Sequence, residues 1–195
     1  MFRAYLRVRE LGYFSMMISG DTDLARIQKI CPKAIFLSGG PNSVHEGDSP
    51  TLPNGFFEYI DSNSIPVMGI CYGMQLLVHC LGGKVEASPN GGEFGSMPIV
   101  IERGSTLFST ETSKEQVVWM SHGDDATALP PGFECVAKSK QGCQVAIEDS
   151  ERKLFGVQYH PEVAHSKRGS AAIKHFLKAI AGGHTCQALS QSGPL

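Results

Sequence analysis

The stretch Ile65-Pro66-Val67-Met68-Gly69-Ile70-Cys71-Tyr72-Gly73-Met74-Gln75-Leu76-Leu77 constrains the fold more than any other part of the chain. Its first half is apolar on both faces, the signature of a strand buried in a parallel sheet. It passes without a loop into a helical pattern that continues to Leu81 and stops at Gly82-Gly83. A strand feeding a helix through Gly69-x-Cys71-x-Gly73 is the thiol form of a nucleophile elbow. Such a turn needs small residues two before and two after the nucleophile, because the backbone there is tight and strained. The helix beginning behind Cys71 offers free N–H groups and a positive dipole end, a setting that suits an anionic sulfur. The plainer reading of Cys71 is a buried structural cysteine beside two glycines.

The rest of the chain fits around that junction. Residues 1–11 are expected to form a helix with Met1, Ala4, Val8 and Leu11 on one face and Gly12 behind it. Tyr13 to Ser19 reads as a buried strand, and Asp21 or Thr22 as the cap of a short helix carrying Leu24, Ile27 and Ile30. Ala34 to Ser38 reads as a second central parallel strand ending in Gly39-Gly40-Pro41, and a helix is expected around Phe56 to Ile60. Beyond Gly83 the pattern changes to strands joined by short polar turns: 84–87, 98–102, 116–120, 133–139, 143–148 and 154–159. A last helix spans Ser166 to Ala181, and residues 184–195 have little to bury and read as a loose tail. The expected fold is α/β: a mostly parallel open sheet flanked by helices, with an inserted antiparallel region, in one domain over residues 1–183.

Composition excludes several functions. Seventeen basic against nineteen acidic residues in 195 give a formal charge of −2, which argues against a nucleic-acid backbone binder. No apolar run approaches the roughly 20 residues of a bilayer span. The six cysteines, at 31, 71, 80, 135, 143 and 186, contain no C-x-x-C. With no apolar signal segment, a reducing, cytoplasmic setting is expected rather than a disulfide framework. Arg3, Arg7 and Arg9 precede the first acid, Glu10, a pattern common to organelle-targeting helices and ordinary surface helices. No set of His, Cys and acidic residues has metal-ligand spacing, and no phosphate-cradling glycine motif is present.

Two further motifs bear on Cys71. In Gln158-Tyr159-His160-Pro161-Glu162, Pro161 holds His160 extended. Residues two apart in an extended segment face one side, so Glu162 can orient an imidazole aimed at the thiol, giving a Cys-His-carboxylate relay. Taken alone, His160 is as readily a satisfied surface histidine. Ser38-Gly39-Gly40-Pro41-Asn42 lets backbone N–H groups approach a ligand, and those of Gly40 and Tyr72 are candidates for an oxyanion site; the plain alternative is a turn. His122, in Met120-Ser121-His122-Gly123-Asp124, follows a strand and could line the pocket. His79 is expected to be packed or capped. His45, His165, His175 and His184 read as surface residues.

Together SGGPNSV, GICYGMQ and YHPE resemble class I glutamine amidotransferase domains, of flavodoxin-like architecture. DTDLARI, LGGKVEAS, EFG, VWMSHGD and LPPGF are similar to the branch found in GMP synthases. The resemblance runs from about residue 7 to 181. It implies Cys71 as nucleophile, His160 as base and then acid, and Glu162 as its orienter. It also implies Gly40 and Tyr72 as oxyanion donors, with Gln75 and the backbone around Ser121 and His122 holding the substrate, glutamine. The ammonia would pass to an ATP-pyrophosphatase (synthetase) domain or subunit, where ATP and Mg activate xanthosine monophosphate; this chain itself implies no cofactor. Two departures stand out. Family members open with a strand ahead of the first helix, which is absent here, and no SGGVDS-type loop follows. A non-catalytic fragment or interaction module and a γ-glutamyl peptide hydrolase therefore stay beside the glutaminase reading.

Overall fold

The computed structural model describes residues 2–102, 104–108, 113–166 and 168–182. The expected tail at 184–195, with His184 and Cys186, lies outside the described residues.

Among the described residues, nine strands and five helices form the α/β fold: helices and strands mix in the first half, and seven strands follow in a row before the last helix. In chain order they are α1 (Phe2–Glu10), α2 (Leu24–Ile30), β1 (Ile35–Leu37), α3 (Phe56–Ser62), β2 (Val67–Ile70), α4 (Tyr72–Cys80), β3 (Lys84–Ala87) and β4 (Glu93–Ile101). There follow β5 (Glu115–His122), β6 (Asp124–Ala128), β7 (Glu134–Ser139), β8 (Gln144–Asp149), β9 (Leu154–Val157) and α5 (Gly169–His175), which continues into a π-type turn, Phe176–Ile180. Seven strands form one sheet in the order β1-β2-β9-β8-β7-β4-β5, and β3 pairs with β6 in a small second sheet. β1, β2 and β9 run parallel; the remaining pairs are antiparallel.

Alternation along the parallel strands divides the core in two. Met68 and Ile70 of β2, with Phe155 and Val157 of β9, face Ala4 and Val8 of α1 and Ile173 and Phe176 at the C-terminal helix. Val67 and Leu154 face the other way, toward Ile27, Phe56, Ile60, Met74 and Leu77 on α2, α3 and α4. Every residue of β2 and β9 is buried, as expected of strands covered by helices on both faces. No helix among the described residues is long and apolar enough to cross a membrane.

Several expectations need correcting. Residues 13–19 form no strand, and Phe14, Met16 and Met17 are 68%, 55% and 51% exposed. No strand among the described residues pairs with them; Tyr13 and Ile18 reach the two halves of the core, while Phe14, Met16 and Met17 face outward. The segment is instead tied to α1: Arg9 donates to the Ser15 carbonyl, Ser15 to the Tyr5 carbonyl, and the Arg9 guanidinium lies over the rings of Tyr5 and Phe14. β1, read as central, is the edge strand of the large sheet and is only half-buried. β6 is a strand the sequence does not indicate, because Asp124-Asp125-Ala126-Thr127-Ala128 has the composition of a loop. His79 is exposed rather than packed, its ring edge-on to that of His45. The last helix starts at Gly169, not Ser166.

The cap of α2 is Asp23, one or two residues beyond the positions expected; its carboxylate accepts from the Arg26 N–H at 2.7 Å. Asp23→Ala is expected to cost about 1 kcal/mol of stability, read by thermal melting. An unchanged midpoint would show that the short helix is held by Ile27 alone.

Candidate active site

Cys71 sits between β2 and α4 with φ 53° and ψ −109°, a region that side-chain-bearing residues enter at a cost. The two glycines of the elbow explain how the chain holds it. A Cβ on Gly69 would lie 2.5 Å from the Gly73 carbonyl oxygen, and one on Gly73 would lie 2.0 Å from the Leu37 carbonyl oxygen. The elbow therefore packs backbone to backbone against β1, and only glycine fits at either position. The Cys71 N–H donates to the Val157 carbonyl at 2.8 Å, while the N–H groups of Met74 and Gln75 both donate to the Cys71 carbonyl. Cys71 is thus the first capping residue of α4, its sulfur projecting from the end of the sheet.

His160 follows β9, the strand beside β2. Its Nδ1 lies 2.9 Å from Oε1 of Glu162, as the extended His160-Pro161-Glu162 pattern requires. A Cβ on Gly39 would stand 3.0 Å from Cε1 of His160 and 3.5 Å from Cβ of Cys71. Gly39 therefore borders both Cys71 and the imidazole, and a side chain there would crowd both. Burial alone would pull the His160 pKa down. The hydrogen bonds to Cys71 and Glu162, and the charges of those two groups, outweigh burial and bring it up to about 9. The three predicted residues thus form one constellation, with Cys71 and Glu162 buried.

The raised value has a thermodynamic consequence. A folded pKa above the ordinary 6.5 stabilises the fold in full below about pH 6.5, and this contribution is lost as pH rises through about 9. Glu162→Gln removes one of the charges responsible. Its His160 pKa, followed by ring-carbon NMR, is expected to fall toward 6.5, and the alkaline loss of stability to begin at lower pH. An unmoved titration would mean that Glu162 orients the ring without charging it.

The strand β5 braces the centre. The Cys71 thiol donates to the Ser121 carbonyl at 3.6 Å, and the His160 N–H donates to the Trp119 carbonyl at 2.9 Å. Ser166 ties the same strand down, its hydroxyl donating to the His160 carbonyl at 2.6 Å and accepting from the Trp119 N–H at 3.0 Å. Gly40 lies against the Tyr72 ring, whose hydroxyl donates to the Pro50 carbonyl at 2.6 Å. The backbone N–H groups of Gly40 and Tyr72 donate to no acceptor among the described residues.

The two remaining side-chain candidates, Gln75 and His122, are both buried. Gln75 is buried, and its amide nitrogen donates to the Asp124 carbonyl and to Oε1 of Gln158, so its NH2 group links α4 to β6 and β9. The His122 ring does not line the pocket. It lies in the interior, with Nδ1 3.2 Å from Asp125 Oδ1 and Nε2 3.4 Å from Glu93 Oε2. Only the backbone of His122 is left to face a substrate. Sequence reasoning missed Glu93 and Asp125 as partners of this histidine; Glu93 opens the EFG stretch and Asp125 follows VWMSHGD, but neither stretch says that the strands carrying them meet. Among the described residues no group of His, Cys and acidic side chains is arranged to hold a metal ion.

Comparison with known proteins points to one family. The family model for glutamine amidotransferase class-I matches residues 4–180. A glutamine-hydrolysing GMP synthase of Enterococcus faecalis is 46% identical over 176 residues, covering 90% of this chain and 33% of the relative. One from Prochlorococcus marinus is 45% identical over 174 residues, covering 89% and 32%. The chain thus spans about a third of the length of these relatives. Among solved structures, a Thermoplasma acidophilum protein described as one of the subunits of a GMP synthase superposes with a TM-score of 0.81 at 26% identity, covering 92% of this chain and 87% of that one. With the match running across nearly every described element, this chain belongs to the class-I glutamine amidotransferase family.

Proposed function

We propose that the chain hydrolyses glutamine through Cys71 and supplies the ammonia to a GMP synthase's synthetase domain or subunit. The carrying observation is the meeting of Cys71, His160 and Glu162 in a chain 46% identical to a glutamine-hydrolysing GMP synthase. In this reading His160 takes the proton of Cys71 and the sulfur attacks the carboxamide carbon, forming an S–C bond while the carbonyl electrons move to oxygen. The N–H groups of Gly40 and Tyr72 receive that oxyanion, helped by the N-terminal end of α4. His160, carrying the proton taken from Cys71, gives it to the departing nitrogen, so the C–N bond breaks and ammonia leaves. The neutral ring then accepts a proton from water, whose oxygen attacks the γ-glutamyl thioester. Glutamate departs and the thiol is restored. Gln75 and the backbone of Ser121 and His122 would frame the substrate. ATP and Mg belong to the synthetase partner, which would aminate xanthosine monophosphate.

The test is glutamate release from glutamine by the purified chain, alone and with a GMP-synthase synthetase domain, ATP, Mg and xanthosine monophosphate. Release that rises with the partner, together with GMP formation, is expected. Faster turnover of γ-glutamyl peptides with no response to the partner would instead mark a peptide hydrolase. A folded chain releasing no glutamate beside a working partner would leave it a non-catalytic module.

A further inference from the structure

Beneath the thiol centre lies a buried polar cluster that the reaction above does not use. Glu93 of β4 and His122 of β5 are directly opposed across the antiparallel pair, and Asp125 follows one tight turn later on β6. The side chains of Glu93 and His122 are 0% and 1% exposed. Both carboxylate oxygens of Glu93 lack a hydrogen-bond partner among the described residues; Nε2 of His122 is close enough for charge attraction but misaligned for a hydrogen bond. A carboxylate held there without a cation beside it would be costly, so the cluster calls for a charged ring. Burial alone would lower the pKa of His122. The close carboxylate of Asp125, the hydrogen bond of Nδ1 with the Asp124 carbonyl at 3.2 Å and the charge of Glu93 together raise it. The other titratable neighbour is Cys143 on the loop into β8, whose thiol donates to Asp125 at 3.5 Å and is held up at about 11 by burial and by the charges of Asp125 and Glu93. Cys143 is thus neutral, and the two carboxylates at 3.2 and 3.4 Å favour the charged form of the His122 ring.

This ring ties together three strands and both sheets. β4 is held through Glu93, β5 carries the histidine, and β6 is held through Asp125. The Gly123 carbonyl beside it accepts from the Ser88 N–H just past β3. The approach is close: a Cβ on Gly92 would lie 2.0 Å from the His122 carbonyl oxygen. The strand pinned in this way is the one that touches both reacting side chains' surroundings, through the Ser121 carbonyl at the thiol and the Trp119 carbonyl at the His160 backbone.

Building on the glutaminase reading, we propose that His122 is a positioning residue for the thiol centre. Clamped between Glu93 and Asp125, its ring fixes the end of β5 and so holds the Ser121 carbonyl against Cys71 and the Trp119 carbonyl against the backbone of His160. It acts through the strand and touches neither glutamine nor the thiol with its side chain.

The test compares wild type with His122→Gln and Glu93→Gln, and with Asp23→Ala as a control that destabilises the fold far from the centre. Three readouts are taken on the same preparations: cooperative melting, glutamine kinetics with the synthetase partner, and the pH–rate profile of Cys71 alkylation by iodoacetamide. Misplacing a reacting group by about 1 Å can cost about 100-fold, so His122→Gln is expected to lose on the order of 100-fold in kcat/KM and to shift the alkylation profile. Glu93→Gln is expected to do the same to a smaller degree, and Asp23→Ala to change melting alone. Kinetics and alkylation of His122→Gln within twofold of wild type would overturn the proposal. So would loss of cooperative folding in both cluster variants, since the cluster would then be only structural, or an equal alkylation shift in Asp23→Ala. The alkylation arm needs no glutamine. A wild type that alkylates normally yet hydrolyses nothing would therefore sink the glutaminase reading while still judging the role of His122.

Discussion

Replacing Cys71 by alanine is expected to abolish glutamate release, by about 10⁴-fold or more, while leaving the fold intact. The size of the effect follows from the chemistry. His160 and the N–H groups of Gly40 and Tyr72 can polarise a carboxamide, but without sulfur no acyl-enzyme forms, and water must attack an amide directly. The fold should not notice, because alanine meets the same left-handed backbone as cysteine and removes one partly satisfied thiol. Cys71→Ser separates nucleophilicity from shape: its hydroxyl is far harder to ionise than a thiol, so it should be nearly as inactive. The measurement is glutamate release with the synthetase partner present, beside a melting curve. An alanine variant within tenfold of wild type would place the chemistry elsewhere.

Gly73→Ala is expected to be among the most damaging single-methyl changes in this protein. In most helices the substitution helps, by up to about 1 kcal/mol. Here the added Cβ would sit 2.0 Å from the Leu37 oxygen and 2.6 Å from the Leu37 carbonyl carbon. Both are backbone atoms of the strand paired with β2, and neither can rotate away. Relief requires β1 to move off the elbow or α4 to tilt out of the core. Overpacking of this kind costs about 3 kcal/mol or more, a fall of roughly 10 °C in Tm for a chain of this size. A melting midpoint equal to or above that of wild type would show that the elbow is looser than the packing of Gly69, Gly73 and Leu37 implies.

The parts of this molecule that could be read from sequence are those in which one short stretch carries both the local structure and the chemistry. Val67–Ile70 feeding Tyr72–Cys80 needs only its own apolar pattern and two glycines, and His160-Pro161-Glu162 needs only an extended backbone. Legibility failed where burial depends on distant partners. Tyr13–Ser19 has the apolar content of a strand, but a strand needs a neighbour, and none is supplied by the described residues. β1 looks central because its three residues are all apolar, yet sheet order is a property of the whole chain. The cluster beneath the site was invisible for the same reason. Glu93, His122 and Asp125 each look like a polar residue at the end of a strand, and only the pairing of β4 with β5 and the turn into β6 make them a buried unit.

The dihedral angles at Cys71 carry a consequence for how the molecule would drift if reactivity ceased to matter. A side chain in that corner of conformational space costs on the order of 1–3 kcal/mol, and glycine would relax most of it. Replacing Cys71 by glycine, which also removes the thiol, is thus among the few single changes able to make the protein sturdier. A lineage selected only for robustness would trade this cysteine for glycine early, so the elbow sets stability against the sulfur it displays.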